Sequence, residues 1–303
     1  MHALKNWEHV VPDLMVYKFS MELDQRSSGP RVLIFPLPLQ SHVTTTLKFA
    51  ELLCFANFHI TFLNSHFVHN RILRHTDIQS HFTRYPRFHF DTITDGLLDD
   101  HPHSGARMLE MFDSVSCVTK PLFREIVLSA QLGLDSWPPI TCVVADGIMN
   151  FAADIAKEIG LMSISFRTIS ASCYCSYFCM PKLIEASELP FKDSRGNVRA
   201  DALIVNTFEE LEAPALCHIR NHIPNTYAIG PLHTHLSSRL TSIKETAPFA
   251  SNSLGEEDRS CMAWLDAQRP KSVLYVSFGS IAVMTRDELM EIWYGLVKSR
   301  KWF

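Results

Sequence analysis

A doubly wound α/β domain built on a parallel sheet is the fold this sequence predicts, and three observations predict it. Short apolar bursts alternate with longer stretches of helical period along most of the chain. The bursts are apolar on both faces, as strands covered by helices on either side must be. The chain is also long enough, at 303 residues with 47% hydrophobic and 11% aromatic content, to bury a real core.

The elements follow in order. Strands are read at RVLIFP (31–36), FHITFLN (58–64), RFHFDTI (87–93), ITCVVAD (140–146), LMSISFRT (161–168), ALIVNTF (202–208) and a short TYAIG (226–230). Between them, the periodicity predicts helices near 43–56, 105–131, 148–159, 171–186 and 209–221. Residues 1–30 mix charges throughout and lack an apolar signal core, so they read as a flexible leader. Residues 31–230 then form the first domain.

From Pro231 the character changes. Residues 231–257 are polar, show no sustained period and read as an interdomain linker. After them come one short helix, DRSCMAWLDAQ, a strand SVLYVSF (272–278), the turn GSIAVMT and a helix from about Arg286 to Ser299. Residues 258–303 thus look like the opening βα unit of a second, incomplete domain. A piece of that size buries too little surface to offset its own chain entropy.

Composition excludes several classes. Lys plus Arg number 28 against 32 Asp plus Glu, a net charge of -4 that argues against a nucleic-acid partner. No apolar run is long enough to span a bilayer. The eight cysteines form no C-x-x-C pair, no glycosylation sequon is present and no signal peptide is seen, so a cytoplasmic location is expected. Cys173, Cys175 and Cys179 in SASCYCSYFC read as small buried hydrophobes on a helix before they read as a soft-metal site. His218 and His222 share a helix face, but no third ligand or H-E-x-x-H pattern accompanies them. The G-x-G-x-x-G turn of dinucleotide enzymes and the G-x-S-x-G elbow of serine hydrolases are both missing.

In open α/β sheets, ligands sit beyond the carboxyl ends of the strands. Two ionisable residues fall there: His42, after the first strand, and Asp146, at the end of the fourth. A carboxylate in that place can fix an imidazole tautomer and leave the other ring nitrogen free to take a proton. It can equally cap a helix starting near Ile148, with His42 merely solvated, and sequence spacing leaves both readings open. The turn SFGS (277–280) offers backbone N–H groups and the Ser280 hydroxyl to an anion, or is only a turn. Ser41 either approaches a phosphate beside His42 or simply begins the helix.

The segments FPLPLQSHVTTTLKFAELL, CVVADGIMNFAADIAKEIGLMSISFRTISA, RADALIVNTFEELE, YAIGPL and CMAWLDAQRPKSVLYVSFGS occur in that order. Together they resemble the plant family-1 UDP-sugar-dependent glycosyltransferases, nearest to the group of 7-deoxyloganetic acid (iridoid) glucosyltransferases, over about residues 31–302. The resemblance implies a GT-B fold of two facing Rossmann-like domains, the first holding the acceptor and the second the UDP-sugar. It implies that His42 is the general base, Asp146 its orienting acid, and Ser41, Gly279 and Ser280 contacts to the donor diphosphate. The implied reaction is inverting transfer of glucose from UDP-glucose to a hydroxyl or carboxyl of a small lipophilic plant metabolite such as an iridoid. UDP-glucose is then a substrate, and neither a resident cofactor nor a metal is expected. Met149 and Phe151 read as acceptor-pocket lining or as core.

The departures are two. The family's long donor-binding signature is missing, and residues 190–199 pass through FKDSRGNV where relatives run longer. The alternative function is therefore a catalytically inactive, truncated remnant that acts as an interaction protein. A monomer is expected, with association through the exposed start of the second domain as the other possibility.

Overall fold

The computed structural model describes residues 29–98, 100–103, 107–133, 137–188, 199–243, 253–279 and 282–303. Seven parallel strands form one sheet: β1 (Arg31–Phe35), β2 (His59–Ser65), β3 (Phe88–Ile93), β4 (Ile140–Asp146), β5 (Met162–Arg167), β6 (Ala202–Val205) and β7 (Thr226–Ala228). Their spatial order is β3-β2-β1-β4-β5-β6-β7. Every predicted strand in the first domain is present, shifted by no more than a few residues at its ends.

Helices cover both faces, which is why the strands lack an alternating pattern. On one face α1 (Gln40–Phe55) packs Val43, Leu47 and Phe49 against Val32, Ile34, Val144 and Phe166. On the other, α5 (Lys120–Gln131) and α6 (Asn150–Ile159) bring Phe123, Val127 and Ile155 onto Leu33, Leu63 and Val143. The last strands are covered by α7 (Ala171–Glu185) and α8 (Glu209–His222), through Tyr174, Leu216 and Ile219.

The helix predicted over 105–131 is broken by a π-helical turn at Val115–Thr119, between α4 (Met108–Ser114) and α5. The residue before that turn and its last residue tie it to the loop after β3: Ser114 Oγ donates to the Asp95 carbonyl and Thr119 Oγ1 to the Thr94 carbonyl. Two helices were not predicted, α2 (His66–His75) and α3 (Ile78–Phe82). The first starts without a loop, because Ser65 both ends β2 and caps the helix by accepting the Val68 N–H.

The linker expectation is corrected over part of its length. Leu232–Ser242 is a helix, α9, whose Leu232, Leu236 and Leu240 lie in the core beneath α1. Leucines four residues apart make a narrow stripe that a polar background hides. Farther on, Leu254 is buried in the same core, its N–H donating to Gln40 Oε1 and its carbonyl accepting from Arg71 Nε.

The strand expected at 272–278 is also corrected. Only an isolated bridge, Val273 to Trp302, forms there, and Tyr275 is 91% exposed. A lone apolar segment has no ladder to join and no face to bury, so propensity alone does not make it a strand. Helices α10 (Ser260–Asp266) and α11 (Arg286–Lys298) form as expected, with no buried residue in either. Residues 1–28, Ser280 and the FKDSRGNV stretch (191–198) lie outside the described residues.

Candidate active site

The strand order reverses at β1, which pairs with β2 on one side and β4 on the other. Chain connections leave in opposite directions there, opening a crevice at the carboxyl ends of β1 and β4. His42 and Asp146 stand at these two ends. Pro36 and Pro38 hold the preceding residues extended and stop β1. Leu39 then provides the extended N-cap of α1, with no side-chain cap. His42 therefore enters on the first turn of α1, its backbone carbonyl accepting from Thr46 Oγ1 at 2.7 Å.

Asp146 ends β4 with its side chain 3% exposed, against 15% for the side chain of His42. Its Oδ2 accepts from His42 Nδ1 at 2.5 Å, and its Oδ1 accepts from the Ile148 N–H at 3.0 Å. One oxygen thus satisfies the turn and the other faces the imidazole, and the helix-cap reading is corrected, since Met149 is the N-cap of the next helix and no side chain caps it. The helix behind it begins at Asn150 rather than near Ile148. With Nδ1 donating to a carboxylate, Nε2 is left as the basic atom. A second oxygen, Thr168 Oγ1, lies 3.4 Å from Nδ1. Thr168 was not singled out from sequence, although it follows the end of β5, where Phe166 pairs with Asp146.

The other predicted residues are placed differently. Ser41 is exposed on the first turn of α1, beside backbone N–H groups that have no partner within the helix. Gly279 lies on exposed backbone at φ +75, a conformation glycine takes at little cost, and its N–H donates to Ser277 Oγ at 3.4 Å. No hydrogen bond among the described residues joins Gly279 to the dyad, and Ser280 lies outside them. Met149 is buried in the core, and Phe151 is half-buried, edge-on to Phe35 and Phe123. Met149 also lines a small cavity beside Asp146 and Ser165.

The expectation that the cysteines of SASCYCSYFC are small buried hydrophobes is corrected: Cys173 and Cys179 are exposed on α7 and Cys175 is half-buried. His218 and His222 adjoin one another, and His222 stacks on Phe178 at 4.4 Å. Among the described residues, no group of three or more His, Cys, Asp or Glu is placed to hold a metal. All eight cysteines are free. No helix among the described residues is long and apolar enough to cross a membrane.

No protein-family model matches the chain. Among curated proteins it is 44% identical to a 7-deoxyloganetic acid glucosyltransferase of Catharanthus roseus, over 93% of this chain and 68% of that protein. It is 37% identical to a mogroside I-A1 synthase of Siraitia grosvenorii, over 90% of this chain and 59% of that protein. The chain thus spans roughly two thirds of the length of these relatives. Among solved structures, that of Os79 from O. sativa in complex with UDP superposes with a TM-score of 0.66 at 22% identity, covering 89% of this chain and 66% of that one. That likeness carries the fold, and the curated relatives carry the family. On the strength of a 44% identity over 93% of its length, the chain belongs to the plant UDP-glycosyltransferases.

Proposed function

We propose that this chain works in inverting glucosyl transfer from UDP-glucose to a hydroxyl of a small lipophilic plant metabolite, an iridoid acid being the acceptor class favoured by its relatives. The observation that carries the reading is the contact between His42 Nδ1 and Asp146 Oδ2, made at the crevice where such sheets take ligands. In this mechanism His42 Nε2 accepts the proton of the acceptor hydroxyl as its oxygen attacks the anomeric carbon. The bond from that carbon to the β-phosphate oxygen breaks, UDP departs from the opposite face, and a β-glucoside results. Asp146 holds the imidazole in its tautomer and balances the charge that develops on it. Positioned base catalysis contributes roughly 10²–10⁴-fold, and aligning the two substrates supplies much of the remainder.

Ser41, Gly279 and Ser280 are proposed as contacts to the donor diphosphate. Base catalysis by an imidazole calls for no metal and no resident cofactor. We place the protein in the cytoplasm as a monomer, a reading supported by its free thiols and by the residues that bury themselves on one sheet. Residues 31–230 would hold the acceptor, and 258–303 would begin the donor side.

A second reading is favoured by a different observation. Leu274, Tyr275, Val276 and Phe278 are exposed in sequence, as are Trp264, Trp293 and Trp302 nearby. Such a surface suits association more than turnover. Purified protein incubated with radiolabelled UDP-glucose and mixed plant alcohols separates the two. Conversion that is abolished by His42→Ala supports the transferase. Absence of conversion, together with no calorimetric titration by UDP, supports the interaction protein.

A further inference from the structure

Arg167 ends β5, one residue before Thr168, and is 4% exposed. Its guanidinium lies 5.0 Å from the ring of Tyr174 and 5.5 Å from that of Tyr177, and it donates to the Tyr174 hydroxyl. Among the described residues no carboxylate comes within ion-pair distance, and neither Nε nor Nη2 finds an acceptor. A full positive charge held out of water without a counter-charge is costly, so a site that keeps one points to an anion.

The surroundings are shaped for one. A Cβ on Gly147 would fall 2.3 Å from Arg167 Nε and 2.6 Å from Ser165 Oγ, so only glycine lets the side chain lie there. Ser165 Oγ is itself buried without a partner. Next to Ser165 is a cavity of about 10 Å³ lined also by Asp146, Gly147, Met149, Asn150 and Ser163, with Arg167 not itself among the lining residues. That is room for one water-sized group, such as a single carboxylate oxygen. Gly147 follows the dyad's acid, and Thr168 Oγ1 reaches the dyad's imidazole. The orphan cation is therefore one residue away from each arm of the candidate catalytic pair.

We infer that Arg167 is a specificity-determining residue that seats a carboxylate of the acceptor and thereby fixes which hydroxyl is presented to His42. The inference rests on the glucosyltransfer reading and adds to it an acceptor that is an anion carrying a separate hydroxyl. The carboxylate accepts from the guanidinium and from Ser165 Oγ, and the guanidinium's charge makes this bond stronger than a neutral one.

Calorimetric titration of the full chain with 7-deoxyloganetic acid and with its methyl ester tests this, because the ester keeps the hydroxyl and loses the charge. The acid is expected to bind at least about tenfold more tightly. Arg167→Met is expected to bring the acid down to the affinity of the ester, and Arg167→Lys to recover part of the gap. Gly147→Ala keeps the charge but displaces it, and is expected to narrow the gap as well, which preserves the test if Arg167→Met fails to fold by circular dichroism. A wild-type chain that binds acid and ester alike, or an Arg167 variant that keeps the full gap, overturns the inference. Chloride, titrated against gluconate at constant ionic strength, checks the other source of a small anion. A rise in Tm that depends on Arg167 and does not compete with the acid assigns the seat to an inorganic ion and also overturns it. The two readings fail separately. Wild-type transfer of glucose to a neutral alcohol without preference for the acid sinks the seat alone. An Arg167-dependent preference in a chain that transfers no glucose sinks the glucosyltransfer reading alone.

Discussion

His42 and Asp146 are 104 residues apart along the chain and 2.5 Å apart at the site. If the imidazole is the base, His42→Ala lowers transfer by on the order of 10²–10⁴-fold while UDP binding is retained, as a turnover assay paired with calorimetry would record. Asp146→Asn preserves shape and offers a donor or a weak acceptor in place of a carboxylate, so it disturbs the tautomer. A loss on the order of 10²-fold or more in kcat, with KM little changed, is the expected outcome of steady-state kinetics. Asp146 was conspicuous in the sequence as an acid ending an apolar strand, whereas His42 sits on the first turn of α1 and its pairing with Asp146 was implied by the family resemblance. Thr168 was not conspicuous, since threonine is ordinary at a strand end and its 3.4 Å approach to His42 comes from the neighbouring strand. Arg167 escaped for the same reason: an arginine after MSISF reads as a solvated strand end, and only packing shows that it is buried.

Among the elements, α7 owes its start to another helix. Ser170 caps it by accepting the Cys173 N–H at 3.0 Å, and Glu212 of α8 reaches across to accept the N–H groups of Ala171 and Ser172, each at 2.9 Å. Burial by itself pushes the Glu212 carboxyl up. The Thr207 hydroxyl, followed by the Ser172 N–H and hydroxyl and the Ala171 N–H, outweighs burial and holds it at about 2, below its ordinary 4.5. A depressed carboxyl stabilises the fold fully above its unfolded value and loses that contribution as pH falls toward its folded value. Glu212→Gln should therefore cost about 1–2 kcal/mol at neutral pH, and the deficit in Tm should shrink between pH 4.5 and about 2 in a thermal-melt series. A mutant whose deficit is the same at every pH would refute the role of the charge. The contrast between α11 and the segment before it shows which elements are locally encoded. Thr285 and Glu288 form a reciprocal capping box, so α11 was readable although none of its residues is buried. SVLYVSF has strong strand propensity and no partner, and it stays unpaired but for one bridge.

At the scale of the molecule, the unexpected feature is that the chain past β7 turns back onto the sheet. Leu236 is fully buried under α1, and Leu254 contacts Gln40, two residues before His42. If α9 belongs to the core of the first domain, Leu236→Ala should cost about 2–4 kcal/mol, read as a lower urea midpoint with an unchanged m-value. A change under about 0.5 kcal/mol would instead mark α9 as a detachable linker.

What the sequence by itself determined is the set of parallel strands, the helices between them, and the two ionisable residues at the strand ends. These depend on local period and on the burial both faces demand, and both are written in neighbouring residues. Tertiary structure alone decided the strand order that brings β1 beside β4, the docking of α9, the absence of a strand at 272–278 and the orphan charge of Arg167. Each of these depends on which surfaces meet across long stretches of chain, and no local pattern records the partner that a strand, a stripe of leucines or a guanidinium will find.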